Sequence, residues 1–366
     1  MNIIIAGGGT GGHLFPGIAI AREFLRKDPK NRVTFIGTKK GIEYRVLPEL
    51  GFDLKIITVK GFKGKGLLEK IKALFCIPYS FIKSAYYIKK LQADMVIGLG
   101  GYISFPPIIA GTIMRKPTAI HEQNSFPGLS NRILGKIADK VFISNRESSL
   151  FFKKEKTILS GLPIRAEFIK NNLPERDTSF NILVIGGSQG SHEINKAIID
   201  CLPRLNSVKE RIKFIHQSGE KDKKELIKHY AENGISAAVF TFIDDIYTCY
   251  QKSNLVISRA GASTLAEIAL CGRASILIPY PYATNNHQEK NGRAFVEEGA
   301  SVMIQSSRLS GEKLASVIIN LENRPEQIKK MEEQAKALSK PKASERITDE
   351  CYKLSIKGKP GKRRRS

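Results

Sequence analysis

Residues 3–13 read IIIAGGGTGGH, and residues 182–192 read ILVIGGSQGSH. Each is a short β-branched run that stops at a glycine-rich turn and passes into a helix-compatible stretch. Glycine at that density lets backbone approach a ligand closely, because no Cβ stands in the way. The helix that follows offers unpaired N–H groups and the positive end of its dipole to an anion. One event repeated halfway along the chain predicts two domains built on one plan.

Outward from these turns the same pattern continues. NIIIA, RVTFIG, LKIITV, DMVIGLG, PTAIHE and KVFISN read as strands in the first half, and NILVIGG, IKFIHQ, AAVFTF, NLVISR and ASILIPY in the second. Strands alternating with helical patterns make βαβ units and parallel sheets. The expected fold is α/β, with two Rossmann-like domains facing a cleft and both glycine turns at the carboxyl ends of their sheets, where ligands bind. Residues 161–179, GLPIRAEFIKNNLPERDTS, are polar, carry prolines and read as the connection. The expected division is 1–162 and 163–341, with a helix at about 342–356 crossing back to the first domain and a basic, disordered tail at 357–366.

Gly7, Gly9 and Gly12 satisfy G-x-G-x-x-G. A nicotinamide enzyme also needs an acidic residue at the end of the second strand for the ribose. Here that strand, RVTFIGTKKG, ends in Gly and Lys, and no G-x-x-x-x-G-K-[ST] loop is present, so neither motif supports a dinucleotide or P-loop enzyme.

Composition narrows the classes further. The chain has 366 residues, is 42% hydrophobic and carries a formal net charge of +24. That charge points to a polyanionic partner or surface, against the plain alternative of a lysine-rich composition. A nucleic-acid binder would account for the charge but not for two glycine turns, and aromatics interleaved with a basic patch are missing. Cys76, Cys201, Cys249, Cys271 and Cys351 have no CxxC spacing, which argues against a zinc site or disulfide framework and for a reducing compartment. The first strand starts with no basic n-region before it, so no secretory signal is expected. Nor does any apolar run reach the roughly 18 residues of a membrane span.

Two stretches of the second half carry candidate chemistry. In GASTLAEIALCG (261–272) a helix start of Gly261, Ala262, Ser263 and Thr264 can hold a diphosphate. Glu267, expected in about the first turn, suits the vicinal hydroxyls of a ribose; its ordinary alternative is a carboxylate placed for the helix dipole. PYPYATNNHQEKNG (279–292) is rich in amides, which read sugar hydroxyls with donors and an acceptor each; its alternative is a loop capping the next helix.

GGTGGHLFP, GLGGYISFPP, HEQNSFPGLSNRIL, GLPIR, GGSQGS, FIDDI, SRAGASTLAEIALCG and HQEKN occur in the order and approximate spacing of the MurG-type glycosyltransferases. The chain resembles that family from about residue 2 to about residue 300. The resemblance implies the two-Rossmann GT-B fold and transfer of N-acetylglucosamine from UDP-N-acetylglucosamine to undecaprenyl-diphosphate-linked muramoyl-pentapeptide, lipid I becoming lipid II in peptidoglycan synthesis. It implies that Arg165 and Ser188 contact the donor diphosphate region and that Ile243 meets the uracil through its backbone. Ala262, Ser263, Thr264, Leu265, Ala266 and Glu267 would hold phosphate and ribose, and Gln288 the sugar. Thr10, Gly11, Gly12 and Asn124 would complete the site from the first domain. Family members usually read Gly-Asn-Pro before the arginine; here Leu162 takes the place of Asn. The nearest alternatives within the fold are a glycolipid synthase and a UDP-N-acetylglucosamine epimerase.

On this reading the first glycine turn faces the acceptor diphosphate, displacement inverts the anomeric carbon, and His13 is the general base for the acceptor 4-hydroxyl, with Glu122 the next candidate. The plain alternative for His13 is a helix cap or a packing residue. No D-x-D motif is evident, so no protein-ligated metal and no cofactor are expected, and helix dipoles with Arg165 would stabilise the departing UDP. The acceptor lies in a membrane, and residues 62–92 carry Leu68, Ile71, Leu74, Phe75, Phe81, Ile82 and Ala85 at roughly helical spacing among lysines, with Pro78 expected to kink the middle. Such a basic amphipathic segment can lie in an anionic headgroup layer; the alternative is a crossover helix buried on its sheet. Peripheral attachment to the cytoplasmic face of the bacterial inner membrane follows from the resemblance.

Overall fold

The computed structural model describes residues 1–59, 67–169 and 178–357, without the side chains of 67–77, 169 and 357. The tail from 358, residues 170–177 of the expected connection, and the side chains of Leu68, Ile71, Leu74 and Phe75 lie outside the described residues. The chain forms two compact units, Met1–Arg165 with the chain from Lys340 onward, and Ala166–Ser339.

The first unit holds β1 (Asn2–Ala6), β2 (Arg32–Gly37), β3 (Asp53–Ile56), β4 (Met95–Gly98), β5 (Thr118–Glu122), β6 (Lys140–Ile143) and β7 (Thr157–Leu159). They form a seven-stranded sheet in the order β3-β2-β1-β4-β5-β6-β7, with every pair parallel. β1 is buried on both faces from Ile3 on, as a central parallel strand must be when helices cover both sides. Its helices are α1 (Gly11–Lys27), α2 (Glu43–Glu49), α3 (Leu67–Lys90), α4 (Phe105–Ile113) and α5 (Leu129–Ile137). Leu14, Ile18, Ala21 and Phe24 place one stripe of α1 in the core beside Ile3, Ile5 and Phe35. The other face of the sheet packs Ile88, Ile108 and Leu134, from α3, α4 and α5. Pro78 lies inside α3, which runs on through it.

The second unit repeats the plan with β8 (Phe180–Ile185), β9 (Ile212–Gln217), β10 (Ser236–Phe240), β11 (Leu255–Ser258), β12 (Ala274–Leu277) and β13 (Ser301–Met303). The order is β10-β9-β8-β11-β12-β13, again parallel throughout. Its helices are α6 (His192–Cys201), α7 (Lys223–Glu232), α8 (Ile246–Lys252), α9 (Ala262–Cys271), α10 (His287–Glu297), α11 (Gly311–Glu322) and α12 (Pro325–Ala337). In each sheet the strand order reverses beside the strand that precedes the glycine turn. That is the switch point at which doubly wound sheets bind ligands.

α13 (Ala343–Lys357) belongs to the first unit. Ile347 and Cys351 enter its core, Tyr352 stands edge-on to Phe24 with centroids 5.6 Å apart, and Asn31 Nδ2 donates to the Tyr352 hydroxyl at 2.6 Å. Gly161, at φ +86°, sits where the chain leaves this unit, and a Cβ there would collide with Lys340, where the chain returns. Leu162 is buried beside it, so a buried apolar side chain stands where the resemblance led one to expect an amide.

Candidate active site

In the first unit, Thr10 is the N-cap of α1, with extended backbone (φ −136°, ψ 159°). His13 is therefore the third residue of the helix and not its cap. Its Nδ1 lies 3.1 Å from Thr10 Oγ1. If Nδ1 carries the proton and donates to that hydroxyl oxygen, Nε2 is left as the basic nitrogen. The helix start disfavours an imidazolium. The ring lies against Gly100: a Cβ added there would be 3.3 Å from His13 Nε2 and 3.1 Å from Asn131 Nδ2. Gly100 and Gly101, at φ +89° and +70°, thus bring the GLGGY turn under His13.

Asn131 continues the chain of contacts. Its Nδ2 donates to Glu122 Oε2 at 2.8 Å. Glu122 also accepts from the Asn124 N–H at 3.0 Å, Asn124 Nδ2 at 3.2 Å and the Gly128 N–H at 3.2 Å. Burial raises its pKa, and these bonds oppose the rise. The carboxylate is sealed and its oxygens are engaged, so it organises the loop between β5 and α5. Beside it His121 is fully buried, donates from Nε2 to the Gly161 carbonyl at 3.1 Å, and is held down to a pKa of about 4, chiefly by desolvation. Arg165 lies in this unit, its guanidinium 5.9 Å from the ring of Phe15.

In the second unit, Ser188 is exposed at the tip of the turn after β8. Gly190 packs so closely on Ser218 that a Cβ would strike the Ser218 carbonyl, so this glycine serves backbone packing. Gln217, at the end of β9, joins the turn beside Ser188 to the loop of Ile243: Nε2 donates to the Gly187 carbonyl at 2.7 Å, and Oε1 accepts the Ile243 N–H at 2.9 Å. A base pairing with Ile243 through its N–H would have to displace Gln217.

α9 begins at Ala262 after Gly261, with no side-chain cap, leaving its first N–H groups without intrahelical acceptors. Glu267 is the sixth residue of the helix, so the expected place in the first turn is corrected. The helix starts after Gly261, whose extended backbone sets the N-cap, and no acidic residue stands in its first turn. Glu267 lies one turn in, under Ser263 and Thr264 at i+4 and i+3, and its Oε2 accepts the hydroxyl of the buried Tyr250 at 3.1 Å. Gln288 Oε1 accepts the Tyr280 N–H at 2.9 Å. Asn285 and Asn286, at φ +55° and +53°, bend this loop in a conformation that few residues other than glycine and asparagine tolerate.

Arg259 was legible only as part of SRAGAST and was not singled out. It donates to Ser191 Oγ at 2.8 Å and Glu193 Oε2 at 2.6 Å, to the carbonyls of Ile278 and Pro279 at 3.2 Å, and stacks 5.4 Å from Tyr280. It ties the starts of α6 and of the amide-rich loop to the end of β11. Asn131 and Gln217 were likewise missed; both lie inside quoted stretches, Asn131 with its partner Glu122 nine residues earlier in the same motif, Gln217 with partners 30 and 26 residues away.

The glycosyltransferase family 28 N-terminal domain matches residues 3–143 and the family 28 C-terminal domain residues 181–347. The UDP-N-acetylglucosamine--N-acetylmuramyl-(pentapeptide) pyrophosphoryl-undecaprenol N-acetylglucosamine transferase of Myxococcus xanthus is 45% identical, across 97% of this chain and 94% of its own. The protein of the same name from Syntrophus aciditrophicus is 46% identical, across 97% and 99%. The crystal structure of Acinetobacter baumannii MurG superposes with a TM-score of 0.80 at 28% identity, covering 96% of this chain and 99% of that one. A Neisseria meningitidis UDP-GlcNAc 2-epimerase bound to UDP-GlcNAc shares the fold at a TM-score of 0.65 and 13% identity, covering 96% of this chain and all (100%) of its own.

Proposed function

The chain belongs to glycosyltransferase family 28 and, within it, to the MurG-type N-acetylglucosaminyltransferases, and from that membership we propose that it moves N-acetylglucosamine from UDP-N-acetylglucosamine to undecaprenyl-diphosphate-linked muramoyl-pentapeptide. The observation that carries this reading is identity of 45% to a transferase of that name across nearly the whole chain. An epimerase shares only the fold.

The donor is assigned to the second unit. The start of α9 takes the diphosphate, Glu267 the ribose hydroxyls, the loop at Ile243 the uracil, and Gln288 the sugar, with Ser188 at the edge of the phosphates. The acceptor is assigned to the first unit, its diphosphate at Thr10, Gly11 and Gly12. His13 accepts the proton of the 4-hydroxyl as that oxygen attacks the anomeric carbon, whose bond to UDP breaks with inversion. Arg165 offsets charge on the leaving diphosphate. Glu122 holds Asn124 and Asn131 in place and takes no proton itself, a role supported by the N–H groups that fill its oxygens.

Attachment to an anionic membrane surface is assigned to the first unit. α4 packs against both α3 and α5. Tyr79, Ile82 and Tyr86 on α3 and Leu129, Ile133 and Ile137 on α5 are exposed, flanked by Lys83, Lys90, Arg132 and Lys136. Among the described residues no helix is long and apolar enough to cross a membrane.

Incubating labelled UDP-N-acetylglucosamine with and without a lipid I analogue tests the reaction. Label should enter lipid only when the acceptor is present. Turnover of donor without acceptor would replace this reading with the epimerase.

A further inference from the structure

We propose that Glu43 is a positioning residue for acceptor binding: its carboxylate fills the interior of the first glycine turn and leaves the start of α1 as the anion site. The inference rests on the reading that this turn receives the acceptor diphosphate.

Glu43 opens α2, six residues beyond the end of β2, and is fully buried. Oε2 accepts the Gly9 N–H at 2.7 Å. Oε1 accepts the Thr38 N–H at 2.9 Å and the Thr38 hydroxyl at 3.0 Å. The space is made by glycines from two separate loops. A Cβ on Gly8 or Gly41 would collide with the carboxyl group, and one on Gly37 would stand 2.5 Å from Glu43 Cγ. GGG at 7–9 and GTKKGIE at 37–43 are therefore two halves of one arrangement. Part of the glycine density that a ligand would explain is explained by an internal anion.

This has a consequence for what the unit binds. In a doubly wound nucleotide domain the turn wraps a pyrophosphate. Here a carboxylate already holds the Gly9 N–H, so a phosphate entering the turn would meet a like charge and lose that donor. What is left is the helix start, where the Gly11 and Gly12 N–H groups have no intrahelical acceptor, next to Thr10 and His13. Glu43 thereby moves the bound anion outward, to the side of the histidine, and locks the β2–α2 loop to the turn that presents it.

The test is the split between the two Michaelis constants, measured with UDP-N-acetylglucosamine and a lipid I analogue. Glu43→Gln keeps the volume but turns an amide NH₂ toward one of its three donors. Gly41→Ala pushes the carboxylate aside from another direction, and Gly41 has no positive φ to strain. Both should raise the acceptor KM about tenfold or more, the size expected for hydrogen bonds to a charged group, with the donor KM and UDP affinity unchanged. A residue that only stabilises the unit would lower the yield of active enzyme and leave both constants alone; that result in folded Glu43→Gln overturns the inference. Should Glu43→Gln not fold, Gly41→Ala decides by the same criterion. Thr10→Ala separates the two layers. If it raises the acceptor KM while the Glu43 and Gly41 variants do not, only the role of Glu43 falls. If it leaves the acceptor KM unmoved, the acceptor reading falls and the inference with it.

Discussion

His13 and Glu267 were both marked by sequence, yet their surroundings differ from what their neighbours in the chain suggest. His13 stands against Gly100 and shares a bond with Thr10 that fixes the orientation of its ring. His13→Ala should lower turnover by about 10²–10⁴-fold and leave UDP affinity nearly unchanged. The acid limb of the wild-type pH–rate profile should vanish in the variant; a variant that keeps it removes His13 from the chemistry. Glu267 is braced by Tyr250, so an alanine would also orphan a buried hydroxyl. Glu267→Gln keeps an acceptor for Tyr250 while removing the charge. It should weaken UDP binding by roughly 1.5–3 kcal/mol, the worth of a charged hydrogen bond. Calorimetry showing equal affinities would end the ribose assignment.

At the scale of elements, α3 shows why a stripe of apolar residues does not say which way it faces. Phe81 and Ala85, expected on a membrane face, pack against the core, while Ile82 is 65% exposed. The outward face is Tyr79, Ile82 and Tyr86, one helical face by spacing, and sequence reading had passed over the two tyrosines. α5 adds Leu129, Ile133 and Ile137, spaced four apart, with Leu134 turned inward. Ile82→Asp combined with Ile133→Asp should therefore reduce sedimentation with anionic vesicles at low salt without altering the melting temperature. Binding of the wild type should weaken as salt rises, since screening sets in beyond about 8–10 Å near physiological ionic strength. Wild-type-like vesicle binding by the folded double variant would show that this face is not the contact.

For the whole molecule, each unit holds one buried neutral histidine. His121 is lowered to about 4 and His216 to about 3, both first by desolvation. In the unfolded chain each titrates near 6.5. Below that pH the unfolded state takes up protons that the native state refuses, so stability falls as pH falls. The contribution is complete above about 6.5 and is lost progressively toward the two native values, with a slope of at most ~1.4 kcal/mol per pH unit for each histidine. His216 donates to Asn195 Oδ1 and faces the Tyr230 hydroxyl, both at 3.0 Å. His216→Gln offers a neutral donor and acceptor in its place. Urea unfolding at pH 7, 6 and 5 should show a shallower decline in this variant; parallel slopes would refute the assignment.

The α/β class, both glycine turns, and the strands of four residues or more, β1–β6 and β8–β12, were determined by the sequence alone. So was the resemblance to the family, because these depend on local period and on motifs each confined to a short stretch and arranged in a fixed order. β7 and β13 escaped notice: three residues each are too few to establish a period, and their partners in the sheet define them. Glu43, Asn131, Gln217 and Arg259 also needed the tertiary structure. Glu43 meets Gly9 from 34 residues away, and Arg259 meets Ser191 from 68. A glycine in a sequence announces space; only the fold decides whether a ligand or the protein's own carboxylate fills it, because that is settled by which distant loop the sheet brings to the same end.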